Sequence, residues 1–84
     1  MDIRYSKDAV KALKSCDQQT RQRIRSGIAG LTKQPPDGDI KPLRGAKGNY
    51  RLRVGDYRIL FSYPESDTVM VKKISPRGDA YKGA

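Results

Sequence analysis

The stretch Asn49–Ser62, NYRLRVGDYRILFS, decides the fold. Two alternating runs flank Gly55-Asp56, and a two-residue loop of this type matches the twist of paired strands, so the stretch predicts a β-hairpin. That turn fixes the register: Val54 opposite Tyr57, Arg53 opposite Arg58, Leu52 opposite Ile59, Arg51 opposite Leu60 and Tyr50 opposite Phe61. Side chains alternate across a strand, so Tyr50, Leu52, Val54, Tyr57, Ile59 and Phe61 share one face. Arg51, Arg53 and Arg58 fall on the other, with Leu60. Like charges directly opposite one another destabilise a sheet. Three guanidinium groups gathered against that cost are expected to serve an anion, since Arg offers a rigid donor fork suited to phosphate and keeps its charge at any physiological pH. The plainer alternative is a solvated sheet face.

Upstream, Asp2–Tyr5 predicts a short first strand, and Ser6 stands where a helix N-cap belongs. Ala9, Val10, Ala12, Leu13 and Cys16 form an apolar stripe at helical spacing. Asp17 reads as a second cap, followed by Ile24, Ile28 and Leu31 on a helix reaching about Lys33. Gly27 and Gly30 weaken that helix but allow it to lie close to a sheet. The run Gln34-Pro35-Pro36-Asp37-Gly38-Asp39 predicts a loop. Lys41–Lys47 is basic and glycine-rich, with Leu43 as its anchor. A second turn is expected at Tyr63–Asp67 and a β-branched strand at Thr68–Ile74. Pro76 and Gly78 rule out regular structure throughout Ser75–Tyr81. The order is βααβββ: an α+β fold of two layers, a helical hairpin on a small antiparallel sheet, forming one domain over residues 1–84.

The net charge of +9 on 84 residues points to a polyanionic partner, such as nucleic acid, an acidic membrane surface or an acidic protein. Between Lys41 and Arg58 there are six Lys or Arg (Lys41, Arg44, Lys47, Arg51, Arg53, Arg58) and one acid, Asp56. Lys7, Lys11 and Lys14 line one face of the first helix, and Arg21 and Arg25 pair on the second. These are solvated faces or contacts to a large nucleic acid or acidic partner. Cys16 is the single cysteine, which excludes an internal disulfide and suits a reducing cytoplasm. No apolar run is long enough for a signal peptide or a membrane span. Histidine is absent, so a Ser–His or Cys–His pair, a His base and an ordinary zinc site are all excluded. Arg77 and Tyr81 place a further cation and an aromatic ring just past the last strand, the combination that proteins holding single-stranded RNA use for phosphate clamping and base stacking. Tyr81 packing the chain end is the alternative.

The opening strand, the helical hairpin, Leu43-Arg44-Gly45, Tyr50-Arg51-Leu52-Arg53, Gly55–Phe61 and Ile74–Tyr81 together resemble the RelE/ParE superfamily of small toxins over nearly the whole chain. The RelE-type resemblance implies an mRNA interferase that cuts mRNA in the ribosomal A site and is silenced by a cognate RelB-like antitoxin, with no metal and no cofactor. It implies that Arg51 and Arg53 stand at the reacting phosphate, where RelE carries lysines, and that Arg58 is the phosphate-stabilising arginine of the third strand. Arg77 and Tyr81 then match the terminal arginine and the base-stacking tyrosine. The Gly-His or Gly-Lys that often precedes that arginine is Ser75-Pro76 here. Lys41, Arg44, Lys47, Lys7, Lys11 and Lys14 are the expected further RNA contacts. Two other readings stand beside this one: a ParE-type toxin that inhibits DNA gyrase, and a basic nucleic-acid-binding module without chemistry.

Overall fold

In the computed structural model of the chain, which describes residues 1–76, five strands and two helices follow one another as β1 (Asp2–Tyr5), α1 (Lys7–Ser15), α2 (Gln18–Ala29), β2 (Asp39–Pro42), β3 (Asn49–Val54), β4 (Tyr57–Glu65) and β5 (Thr68–Pro76). Arg77 and Tyr81 lie outside the described residues. The two-layer α+β architecture is the expected one: a helical hairpin covers one face of a single sheet of order β1-β5-β4-β3-β2.

The β3–β4 hairpin has the register expected from its sequence, pair for pair from Tyr50↔Phe61 to Val54↔Tyr57. Gly55 takes a φ of 57° while Asp56 does not go positive, the pattern of a type II′ turn with Gly first. The apolar face of the hairpin supplies Leu52, Ile59 and Phe61 to a core completed by Ala9 and Leu13 of α1, Ile24 and Ile28 of α2, Leu31 on a short 3-10 turn, and Val69, Val71 and Ile74 of β5. Gly27 is where α2 approaches the sheet: a Cβ there would stand 2.6 Å from Val54 Cγ2.

Three features go beyond the sequence expectation. The sheet is mixed, because β1 pairs parallel with β5, setting Ile3 and Tyr5 beside Val69 and Val71. The helical hairpin provides the long crossover that a parallel pair needs. The basic segment opens with a strand, β2, antiparallel to β3. It carries one apolar residue, Ile40, and ends on Pro42, which an edge strand tolerates. Finally, β4 and β5 are longer than expected, reaching Glu65 and Pro76, with the turn confined to Ser66-Asp67.

Side-chain bonds tie the layers together. Ser6 caps α1 by accepting from the Ala9 N–H at 3.0 Å, and the same hydroxyl donates to the Lys72 carbonyl at 2.6 Å. Arg21 is structural: it donates to the carbonyls of Leu13 (2.9 Å), Cys16 (2.8 Å) and Lys14 (3.4 Å) at the C-terminus of α1. The Leu13 carbonyl also accepts from the Cys16 N–H at 3.2 Å, and a cation suits the negative end of the helix dipole. Arg21→Ala is expected to cost about 1–2 kcal/mol in urea unfolding, while Arg25→Ala, on the exposed side of α2, leaves the midpoint in place.

Tyr50, Phe61 and Tyr63 cluster with ring centroids 5.6–6.2 Å apart, and the Tyr63 hydroxyl donates to the Leu31 carbonyl at 2.8 Å. Burial, with a smaller contribution from Tyr50, holds the Tyr63 phenol above its ordinary value of 10.0. Its folded-state pKa is raised, so this contribution is fully present below pH 10 and is lost as pH rises through the folded value. Tyr63→Phe is therefore expected to flatten the fall of the melting temperature above pH 10.

Candidate nucleic-acid interface

The face of the sheet away from the helices carries the arginines. Ladder register sets them in rows, since directly paired residues point to the same side. One row runs Asp39, Arg53, Arg58, Ser75; the next runs Lys41, Arg51, Leu60, Lys73. A like-charged pair, Arg53 and Arg58, thus sits at the centre of the face.

The connection from β2 to β3 rises beside these rows and makes a wall. It is closed by two backbone bonds, Leu43 N–H to the Asn49 carbonyl (2.9 Å) and Asn49 N–H to the Ala46 carbonyl (3.0 Å). Positive φ at Gly45 (71°) and Gly48 (83°) lets it turn back so tightly. Between wall and sheet lies an open cleft of about 830 Å³, lined by Lys41, Leu43, Arg44, Arg51, Arg53, Arg58 and Leu60 among others. Five cations from three strands and one loop therefore face one space.

Arg51 is the unusual member. Its side chain is 6% exposed, and its nearest acid, Asp39, is half exposed and 3.7 Å from Nη2, too long for a hydrogen bond. Its Nη1 is buried and has no hydrogen-bond partner among the described residues. Burying a charged donor without a partner is costly, so this group is under-satisfied until an acceptor arrives. Phosphate oxygens match its planar fork.

The cleft brings together five expected residues: Arg51, Arg53, Arg58, Lys41 and Arg44. Lys47 is exposed within this loop and does not line the cleft. Lys7, Lys11 and Lys14 point outward from α1, whose inner face meets the sheet's apolar side, so the sheet separates them from the cleft.

The structure also adds two lysines that alternation does not reveal. The β4–β5 register steps from Leu60↔Lys73 to Phe61↔Val71, leaving Lys72 as the extra residue of a bulge. Its carbonyl, released from the ladder, is the one that Ser6 satisfies. Its Nζ crosses the arginine side of the sheet to Asn49 Oδ1 at 2.6 Å, while Lys73 stands beside Leu60 in the ladder. Strict alternation would send one of the two lysines into the core; a Lys-Lys pair within a β-branched strand is the signal of such a bulge.

Comparison with known proteins follows the same lines. The family model described as the ParE toxin of type II toxin–antitoxin systems, parDE, matches residues 3–81. RelE1 of Methanocaldococcus jannaschii is 29% identical over 85 residues, covering 96% of this chain and 94% of that protein. The solved RelB–RelE antitoxin–toxin complex from Methanococcus jannaschii superposes with a TM-score of 0.75 at 29% identity, over 95% of this chain and 96% of that one. The archaeal RelE–RelB complex from Pyrococcus horikoshii OT3 gives a TM-score of 0.76 at 30% identity, over 93% and 96%. With fold, sequence and cleft in agreement, the chain belongs to the RelE/ParE superfamily of type II toxin–antitoxin toxins.

Proposed function

We propose that this toxin is a RelE-type endoribonuclease that cuts mRNA in the ribosomal A site. The observation that carries the reading is the convergence of Arg51, Arg53 and Arg58 with Lys41 and Arg44 on one cleft, with Arg51 buried and short of an acceptor. A surface built only for solubility has no reason to bury a guanidinium.

The reaction is a transesterification. The 2′-oxygen attacks the adjacent phosphorus as its proton leaves; the bond from phosphorus to the 5′-oxygen breaks and that oxygen takes up a proton. The products are a 2′,3′-cyclic phosphate and a 5′-hydroxyl. Negative charge gathers on the non-bridging oxygens, where Arg58 and, from the tail, Arg77 stabilise it as preorganised donors. Arg51 and Arg53 hold the same phosphate, and Tyr81 stacks on the base. Arginine keeps its proton and is a poor general base, and the chain has no histidine. Most of the acceleration therefore comes from alignment and charge rather than proton transfer, and the ribosome completes the alignment. The work is done in the cytoplasm, where the ribosomes are.

The two archaeal structural relatives are solved with RelB antitoxins. An acidic or amphipathic antitoxin that covers the cleft is the expected restraint on this toxin too.

The family model bears the ParE name, which keeps the gyrase reading in play. One experiment separates the readings: purified toxin is added in parallel to a translating extract and to a gyrase supercoiling reaction. Cleaved mRNA with unimpaired supercoiling is the expected result, and free RNA is cut slowly or not at all. Intact mRNA with blocked supercoiling supports the gyrase reading. Salt-dependent binding of naked nucleic acid, without effect in either assay, supports a simple binding module.

A further inference from the structure

The hydroxyl of Ser75 is, with Arg51 Nη1, a buried polar group on the arginine face that has no hydrogen-bond partner among the described residues. The residue is 6% exposed. β5 pairs Ser75 directly with Arg58, which in turn faces Arg53, so Ser75 ends the row of arginines. Side chains paired in this way stand about 5 Å apart at Cβ, within the span of one phosphate group held between them. Buried hydroxyls are almost always hydrogen-bonded, and one left open costs stability. An alanine at this position would fill nearly the same space without that cost. The hydroxyl is therefore held at a loss to the fold, beside the cation that the proposed reaction uses.

We propose that Ser75, which stands next to Arg58 at the edge of the cleft rather than in its lining, is a substrate ligand, its Oγ–H donating a hydrogen bond to the RNA backbone phosphate that Arg58 grips. A Ser hydroxyl rotates freely and can turn its proton to an anionic oxygen once the phosphate arrives. This assignment rests on the nuclease reading and names one more group in the same site. It gives β5 a direct part in holding RNA, alongside β3 and β4.

The test compares Ser75→Ala and Ser75→Thr with the parent chain and with Arg58→Ala. Three readouts are used: cleavage in a translating extract, affinity for a 2′-O-methyl RNA oligonucleotide that cannot be cut, and melting temperature. Ser75→Ala is expected to lower cleavage about tenfold and to weaken oligonucleotide binding severalfold, at an unchanged or higher melting temperature. Ser75→Thr, which keeps the hydroxyl, restores both. Parent-like cleavage and binding in Ser75→Ala, with Arg58→Ala impaired, overturns the Ser75 assignment and leaves the nuclease reading intact. A melting temperature several degrees lower in Ser75→Ala marks the hydroxyl as structural and also overturns it. If the parent chain cuts no mRNA yet binds the oligonucleotide through Ser75, the nuclease reading falls while the phosphate contact stands. If the parent chain neither cuts nor binds, both fall together.

Discussion

Arg58→Ala and Arg51→Met are each expected to lower mRNA cleavage by about a hundredfold or more, and to part company in what they do to stability. Removing one preorganised donor from a developing oxyanion costs on the order of 10²–10³ in rate. Arg58 is half-buried in the centre of the arginine rows, facing Arg53 across the hairpin, so its loss relieves a like-charge pair. Its effect on stability is expected to stay within about 1 kcal/mol. Arg51 is different, because the fold holds its charge almost fully out of water with a single distant acid among the described residues. Methionine of similar length keeps the packing and removes the buried charge, and Asp39, half exposed, is left solvated. Replacing buried ionic groups with well-packed apolar ones is often stabilising. Arg51→Met is thus expected to gain about 1 kcal/mol in denaturant unfolding while cleavage collapses. A loss of stability in this variant would mean that the guanidinium serves the fold rather than a ligand.

Phe61→Ala carries the largest expected cost to the fold, about 3–5 kcal/mol. Phe61 is fully buried at the step in the β4–β5 register, stacked on Tyr50 and edge-on to Tyr63. Among the described residues it is the largest side chain in a core of eleven buried apolar residues. Domains of this size have only about 5–10 kcal/mol to lose. At about 4–8 °C per kcal/mol, the melting temperature falls by roughly 12–40 °C. Circular dichroism melting checks this directly. Because the bulge beside Phe61 also turns Lys72 toward Asn49, the damage is expected to reach the arginine face as well.

What the chain discloses by itself tracks where local chemistry is decisive. The β3–β4 hairpin is readable pair by pair, because a glycine that accepts positive φ fixes the turn and alternation fixes the faces. The helical hairpin is readable because Ser6 and Asp17 mark its starts and the apolar stripes repeat at helical spacing. β2 is not, since Asp39–Pro42 has one apolar residue and owes its strand state to pairing with β3. Nor is the parallel pairing of β1, which depends on β5 having an open edge after the chain has crossed over. The arginine cluster follows from the register, but the burial of Arg51 does not, because register fixes the face a side chain takes and not how much of it is covered. Lys7, Lys11 and Lys14 are expected beside the RNA on charge alone, and the structure sets them across the sheet from the cleft, on the helical layer that packs against the apolar face. Lys72 and Lys73 escape such reasoning, since the bulge breaks the period on which it relies.

The chemistry of the cut ends tests the central claim most directly. mRNA recovered from a translating extract after toxin treatment is mapped by primer extension, and its new termini are identified by kinase labelling and by phosphatase sensitivity. Cuts inside codons that leave a 5′-hydroxyl and a 2′,3′-cyclic phosphate, present with the parent chain and gone with Arg58→Ala, are the result expected of a guanidinium-lined cleft around one RNA phosphate. Uncut mRNA in an extract whose translation the toxin has stopped, or cuts that persist in Arg58→Ala, would contradict it.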